Sequence, residues 1–298
     1  MRRVWVCVAL VCALERPASG ACPPDGWEAT ALDRLRAAQF VLDDAARREA
    51  LATALLDCLA DPRPQLRDEI AFEALSAWLR GGMLTVAQHH ALLRDLSQRL
   101  TAEDAAGFGR PFAALALAEL ARADRLSPWL AAPERDALVR AATAYLRGVH
   151  DYRGFDASQG WRHGVAHGAD MLMQLALNPA LSRDQVDAIV QAVGVQVAPA
   201  GTHFYIYGEG ERLARPILFV AQRGLYEAAD WSAWLAALAQ PAPGSSWRES
   251  LRTQEGLARK HNTQAFMQVL YVTVRESGSE ALQRRLLPGL LDALKALP

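Results

Sequence analysis

The sequence predicts an all-α protein made of stacked antiparallel helix pairs, arranged either as a HEAT-like α/α solenoid or as a curled helical array. Apolar residues recur at the three- and four-residue spacing of amphipathic helices along most of the chain, and the alternation typical of strands is almost absent. Helix pairs begin roughly every 35 to 50 residues, the range of HEAT-like repeats. Such pairs bury their apolar faces only by stacking on one another, so we expect one continuous helical domain.

The N-terminal helices have recognisable start and stop signals. The first two apolar stripes comprise Leu32, Leu35 and Phe40, and then Leu51, Leu55, Leu56 and Leu59. The segment Asp61-Pro62-Arg63-Pro64 ends the second helix, and its prolines favour the start of a third. That third helix is predicted to end at Gly81-Gly82, and Thr85 begins a fourth that runs through Leu100.

The same periodicity predicts further helices at about 111–123, 133–148, 159–177, 182–196, 212–224, 229–239, 246–258, 262–275 and 279–296. Between them, residues 198–210 are rich in Gly, Pro and aromatic residues. We expect a long irregular connection there, of the kind that often carries function. Asn262 is predicted to cap the helix that begins beside it.

The N-terminus has the features of a secretory signal peptide. Arg2 and Arg3 precede an apolar run that is too short to span a bilayer, and small residues follow as far as Ala21. We therefore predict a signal peptide over residues 1–21 and a single mature domain over 22–298, exported to the periplasm or secreted. A lipoprotein signal acylated at Cys22 is the less favoured alternative, because Ser19 stands where a large aliphatic residue is expected.

The cysteines and the charge of the mature chain narrow its class. Removal of the signal leaves Cys22 and Cys58, which predict one structural disulfide in an oxidising compartment. Loss of three arginines and one glutamate with the signal changes the net charge from -1 to -3. This balance argues against nucleic acid or an anionic membrane as partner. No second apolar run is long enough to span a membrane.

The most informative segment runs from Gly160 to Gln174. If residues 161–176 form a helix, four polar side chains share one side of it and Trp161 lies on the other; the four are His163, His167, Asp170 and Gln174. Three interpretations remain open. In the first, the stripe is a hydrogen-bond network that fixes helix packing. In the second, it lines a pocket for a ligand or partner without metal. In the third, it is a metal site.

The metal interpretation rests on two histidines one turn apart. His163 and His167, with Asp170 as a third ligand, could chelate a transition metal such as zinc. The zinc-protease pattern, however, places a glutamate directly after the first histidine, where this chain has Gly164. The sequence therefore assigns no cofactor.

The segment resembles a known family signature. Asp151, Arg153-Gly154-Phe155, Gly160-Trp161, His163, Val165-Ala166-His167 and Ala169-Asp170 resemble the central motif of a bacterial family, domain of unknown function 2785. Three outer motifs match in the family's order: Leu66-Arg67-Asp68, then Glu209-x-Glu211-Arg212-Leu213, and finally Asn262-x-x-x-Phe266 with Leu270-Tyr271. The family has no assigned activity, but the resemblance implies that these separated motifs form one design.

We therefore expect polar residues of these motifs to converge on one face of the helical stack: Arg67, Asp68, Arg153, His163, His167, Asp170, Glu211 and Arg212. Trp161 and Gln174 complete the candidate ligand-binding set. The favoured function is binding of a polar small molecule or a protein or peptide. The alternative is a hydrolase that uses His163 or His167 as a general base or a metal to activate water, or a glycosidase in which Asp170 and Glu211 face each other.

Overall fold

The computed structural model describes residues 22–298, and the predicted signal peptide over residues 1–21 lies outside them. Across the described range the chain forms thirteen α-helices and one hairpin of two short strands, which confirms the all-α fold class. The helices are α1 Ala29–Ala37, α2 Ala45–Ala54, α3 Glu73–Arg80, α4 Val86–Arg99, α5 Gly109–Leu126, α6 Ala132–Arg147, α7 Gly164–Ala176, α8 Arg183–Val197, α9 Glu209–Gln222, α10 Ala228–Leu238, α11 Trp247–Ser250, α12 Gln254–Glu276 and α13 Glu280–Ala296.

The helices pack as pairs that build two layers. In one layer α3, α5, α7, α9 and α12 follow one another side by side, and α6 and α8 are neighbours in the other. Successive helices connect the layers, as α4 does with α5, α6 with α7, and α12 with α13. One continuous apolar core results, because each amphipathic helix buries its stripe against the next pair.

Gly164 and Gly168 allow close contact between α6 and the start of α7. A Cβ atom on Gly168 would lie 3.0 Å from side-chain atoms of Tyr145 and of Leu146 on α6. One on Gly164 would lie 3.3 Å from the Val149 side chain. A larger residue at either position would require these neighbouring side chains to move, so the glycines let the start of α7 pack closely against α6.

The helix predicted over 159–177 is wrong at its start, because α7 begins only at Gly164. The preceding residues form an antiparallel hairpin of β1, Phe155–Asp156, and β2, Gly160–Trp161. Its turn is held locally, since the Asp156 carboxylate accepts hydrogen bonds from the backbone N–H groups of Ser158 and Gln159. Trp161 therefore belongs to a strand and not to the apolar side of a helix.

Two other helices differ from the sequence prediction. The segments predicted at 246–258 and 262–275 are instead the short α11 and the single long α12. Asn262 lies inside α12, where it is 1% exposed, so the prediction that it caps a helix start is wrong. The third predicted helix is a π-helix over Gln65–Phe72 that continues directly into α3.

Two contacts that the sequence predicts hold the first described residues and the start of α4. A disulfide joins Cys22 to Cys58, with the two Cα atoms 5.2 Å apart, as predicted. It ties the first described residue to the 3₁₀-helix Asp57–Ala60. Thr85 caps α4 by accepting a hydrogen bond from the Gln88 backbone N–H, again as predicted. Among residues 22–298, no helix combines the length and the apolar character needed to cross a bilayer.

Candidate functional site

The residue before α7, His163, carries two unfavourable features at once. Its backbone is left-handed, with φ 55° and ψ 39°, a conformation that costs a non-glycine residue about 1 to 2 kcal/mol. Its Nε2 atom is buried and has no hydrogen-bond partner among residues 22–298. The ring centroid lies 4.0 Å from that of Trp161, which is 37% exposed. Uncompensated features of this kind concentrate at functional sites.

His167 lies one turn into α7 and is 6% exposed. Its Nδ1 atom is 3.2 Å from the Pro111 carbonyl oxygen, and its ring packs edge-to-face on Phe112. The ring centroids of His163 and His167 are 5.9 Å apart. Burial lowers the pKa of His163 to about 4, and it lowers that of His167 well below the ordinary histidine range. Both imidazoles are therefore neutral at pH 7.

Asp170 lies one turn further along α7 and pairs with Arg212 on α9. The two carboxylate oxygens accept hydrogen bonds from the Nε and Nη2 atoms of Arg212, and the Nε bond is 2.8 Å long. The carboxylate is 8% exposed and the arginine side chain 28%. Burial raises the pKa of the Asp170 carboxyl, and Arg212 offsets that effect only in part. A bidentate ion pair thus connects the polar side of α7 to α9.

Similar polar pairs link neighbouring helices of the same layer. Arg80 on α3 binds Glu119 on α5, with Nε and Oε2 2.8 Å apart. On the next helix along, the Gln174 amide oxygen accepts hydrogen bonds from Arg125 of α5, at 3.3 and 3.2 Å. Gln174 therefore works in helix packing, in line with the network interpretation for this residue.

Arg67 is buried completely in the π-helix. Its guanidinium lies over the Phe108 and Phe112 rings, 4.1 and 4.8 Å from their centroids, and Phe112 in turn contacts His167. It binds Asp68 at 2.7 Å and donates to the Gln159 carbonyl oxygen of the hairpin at 2.8 Å. Arg67 thus anchors the hairpin beside the histidines.

Two further arginines lie beside the hairpin, and one of them, Arg162, is not among the predicted site residues. Arg153, a predicted site residue, binds Asp151 at 2.8 Å and its side chain is 50% exposed. Arg162 is 8% exposed, donates to the Ala106 carbonyl oxygen at 2.9 Å and lies over the Phe108 ring. Its position inside the family-like motif was the signal available in the sequence.

The irregular connection before α9 brings aromatic residues to the histidines. The Tyr207 ring centroid is 5.6 Å from that of Trp161 and 6.5 Å from that of His163. A side chain at Gly154 would collide with the Tyr207 ring, so glycine is required there. The connection is held by Asn262, which accepts from the Tyr205 N–H at 2.8 Å and donates to the His203 carbonyl at 3.0 Å.

The structure therefore brings together a compact set that we call the His163 cluster: Trp161, His163, His167, Asp170, Tyr207 and Arg212. Arg67, Asp68, Arg153 and Arg162 surround it as supports of the hairpin and the π-helix. Glu211 does not join it, because its side chain is 57% exposed and pairs with Arg215. Within residues 22–298, no three His, Cys, Asp or Glu side chains are placed to hold a metal ion together.

The fold and the site together define a class of protein. It is an all-α protein of packed helix pairs, and it has a buried polar cluster without net charge at the start of one helix. A family model described as "Protein of unknown function (DUF2785)" matches residues 96–272. The chain belongs to this family. Neither the curated proteins nor the solved structures give a significant match.

Proposed function

We propose that this protein binds a small, electrically neutral polar ligand at the His163 cluster. The observation that carries the proposal is the state of His163, which combines a left-handed backbone with a buried and unpaired Nε2 atom. A ligand hydroxyl or amide would supply the missing partner and so recover part of the roughly 1 to 3 kcal/mol that an unsatisfied buried polar atom costs.

The charge balance of the cluster favours a neutral ligand over an ion. His163 and His167 are both neutral at pH 7 because burial lowers their pKa values. The negative charge of Asp170 is already met by Arg212. No net charge is therefore left over for a counter-ion, whereas imidazole nitrogens and carboxylate lone pairs can still bind hydroxyl and amide groups.

Aromatic side chains supply the apolar part of the proposed site. Trp161 is 37% exposed and Phe155, its cross-strand partner, is 50% exposed. Tyr207 adds a third ring beside Trp161. Flat aromatic surface next to a few fixed polar groups is the usual composition of a small-molecule site.

The protonation and pairing of the side chains at this site fit ligand binding better than catalysis of hydrolysis. A general base works best with a pKa near the operating pH, but that of His163 is lowered to about 4. Asp170 is engaged by Arg212 and Glu211 by Arg215, so neither carboxylate is free to protonate a leaving group. We therefore propose a binding protein and not a hydrolase.

The test compares three sugars of one shape and different charge: neutral glucose, cationic glucosamine and anionic glucuronate. Thermal unfolding of the wild-type protein is measured with each sugar, and with a panel of neutral polyols and amides. We expect at least one neutral compound to raise the melting temperature, and its charged counterparts to do so less.

The effect should disappear in Trp161→Ala and His163→Gly but persist in Leu291→Ala. Leu291 is a 40% exposed residue of α13, a helix that carries no member of the cluster. Stabilisation by charged compounds only, or stabilisation that survives both cluster variants, would contradict the proposal.

We also infer that the protein is exported with its signal peptide removed. The Cys22–Cys58 disulfide supports this inference, because such bonds persist mainly in oxidising compartments. Mass spectrometry of protein purified from the cell envelope or medium tests it. We expect an N-terminus at Cys22 without added lipid; retention of residues 1–21 would contradict export, and a diacylglyceryl group on Cys22 would favour the lipoprotein alternative.

A further inference from the structure

A cavity lies away from the His163 cluster and shares no residue with it. It has a volume of about 280 Å³ and lies between the end of α3, the first turn of α4, the end of α5 and the loop that follows α5. Its wall includes Arg80, His89, Arg122 and Trp129. None of these four residues belongs to the motifs that the sequence analysis singled out.

Hydrogen-bonding groups at this cavity are left without partners. His89 is 8% exposed, and neither of its ring nitrogens has a hydrogen-bond partner among residues 22–298. The indole N–H of Trp129 is also buried and unpaired, and the two ring centroids are 5.1 Å apart. Buried groups of this kind are destabilising unless something else satisfies them.

The charge of the cavity is positive. Arg80 and Arg122 line it, and no acidic side chain does. Arg80 is paired with Glu119, but Arg122 forms no ion pair or side-chain hydrogen bond in the described chain. Burial, and after it the charge of Arg122, lowers the pKa of nearby Arg125. An anion would relieve this repulsion.

The rim of the same cavity is apolar. Val86 is 54% exposed and Leu126 is 58% exposed, and both line it together with Leu79 and Pro128. Large apolar side chains exposed side by side around a cavity are typical of a binding surface. The composition therefore combines one positively charged region, rich in donors, with an apolar mouth.

We propose that this cavity binds a small carboxylate with an apolar tail. The carboxylate accepts hydrogen bonds from Arg122, from the Trp129 indole and from His89, while the tail lies against Val86 and Leu126. The donor nitrogens of the two rings are closed off from water, so binding requires a small rotation of the partly buried Trp129 ring. Its backbone stays in place, because buried Asp124 accepts hydrogen bonds from the N–H groups of Trp129 and Leu130.

Hexanoate is the probe, and the indole N–H signals of ¹⁵N-tryptophan-labelled protein are the measurement. Trp129→Phe identifies the Trp129 signal. We expect hexanoate to move this signal downfield in a saturable way, whereas hexan-1-ol and hexylamine leave it unchanged. Arg122→Gln should weaken hexanoate binding about tenfold or more, as for loss of a charge-assisted hydrogen bond.

Trp161→Phe is the matched control, because it alters the other proposed site and should leave hexanoate binding unchanged. No saturable shift with hexanoate, an equal response to hexan-1-ol, or unchanged affinity in Arg122→Gln would overturn the proposal. Failure here leaves the proposal for the His163 cluster untouched, since the two sites share no residue.

Discussion

Asp170 on α7 and Arg212 on α9 form a two-pronged ion pair that is largely buried. The pair joins two neighbouring helices and lies next to two histidines that burial keeps neutral. Its position makes it both a structural link and one side of the proposed ligand site.

Removal of one partner of this pair should be markedly destabilising. Arg212→Met leaves the Asp170 carboxylate buried and unpaired, and we expect the free energy of unfolding to fall by about 2 to 3 kcal/mol. Urea unfolding measures it. Arg284→Met is the control, because its exposed pair with Glu280 on α13 should contribute less than about 0.5 kcal/mol. The double variant Asp170→Asn/Arg212→Met should be more stable than Arg212→Met alone; equal losses in the two arginine variants would contradict this account.

The left-handed backbone of His163 predicts an unusual order of stability. Glycine adopts this conformation without cost, whereas alanine does not. We therefore expect His163→Gly to be more stable than His163→Ala by about 1 kcal/mol in urea unfolding. If the alanine variant equals or exceeds the glycine variant, the backbone at this position is not left-handed.

Stability should depend on pH through the buried histidines. The unfolded chain takes up a proton on His163 near pH 6.5, whereas the folded chain resists it until about pH 4. The stabilising effect is therefore complete above pH 6.5 and is lost as the pH falls toward 4. His163→Asn should flatten this fall, and His150→Asn, at an exposed residue, should not. Parallel pH profiles for all three proteins would contradict the assignment.

Asn262 should hold the irregular connection at 198–208 closed. Asn262→Leu keeps the size of the side chain but leaves the Tyr205 N–H and the His203 carbonyl without partners. We expect a loss of about 2 to 4 kcal/mol and faster hydrogen exchange confined to this connection. Gln283→Ala, which removes an exposed bond to Arg275, is the control. Unchanged exchange at Tyr205 in Asn262→Leu would show that the side chain plays no such part.

The disulfide should contribute measurably to stability. Closing a loop with a sequence separation of 36 residues predicts about 4 kcal/mol in the chain-entropy treatment. We expect Cys22→Ser and a mild reductant to lower the free energy of unfolding by similar amounts. A reductant that leaves the unfolding midpoint unchanged, while alkylation shows free thiols, would contradict this expectation.

The sequence alone predicted the helical class, the cap at Thr85 and the disulfide, because each depends on local pattern or on two residues. It did not predict the hairpin before α7. Helical spacing of His163 and His167 looked continuous, yet the Asp156 turn and the Arg67 bond to the Gln159 carbonyl oxygen favour a hairpin instead.

Local sequence pattern does not predict the contact made by Tyr207 or the packing role of Asn262. Tyr207 reaches Trp161 only because Gly154 leaves room for its ring. Asn262 works from the middle of a long helix on a connection more than fifty residues earlier in the chain. Contacts of this kind follow from tertiary packing, which the spacing of residues along the sequence does not reveal.

The most direct test of the central claim is ¹⁵N NMR of the His163 ring at pH 5.5, with and without the neutral compound that stabilises the protein most. We expect a neutral ring with unequal nitrogen signals, of which the Nε2 signal moves when the compound binds. A ring protonated at pH 5.5, or an Nε2 signal that stays fixed at saturation, would contradict it.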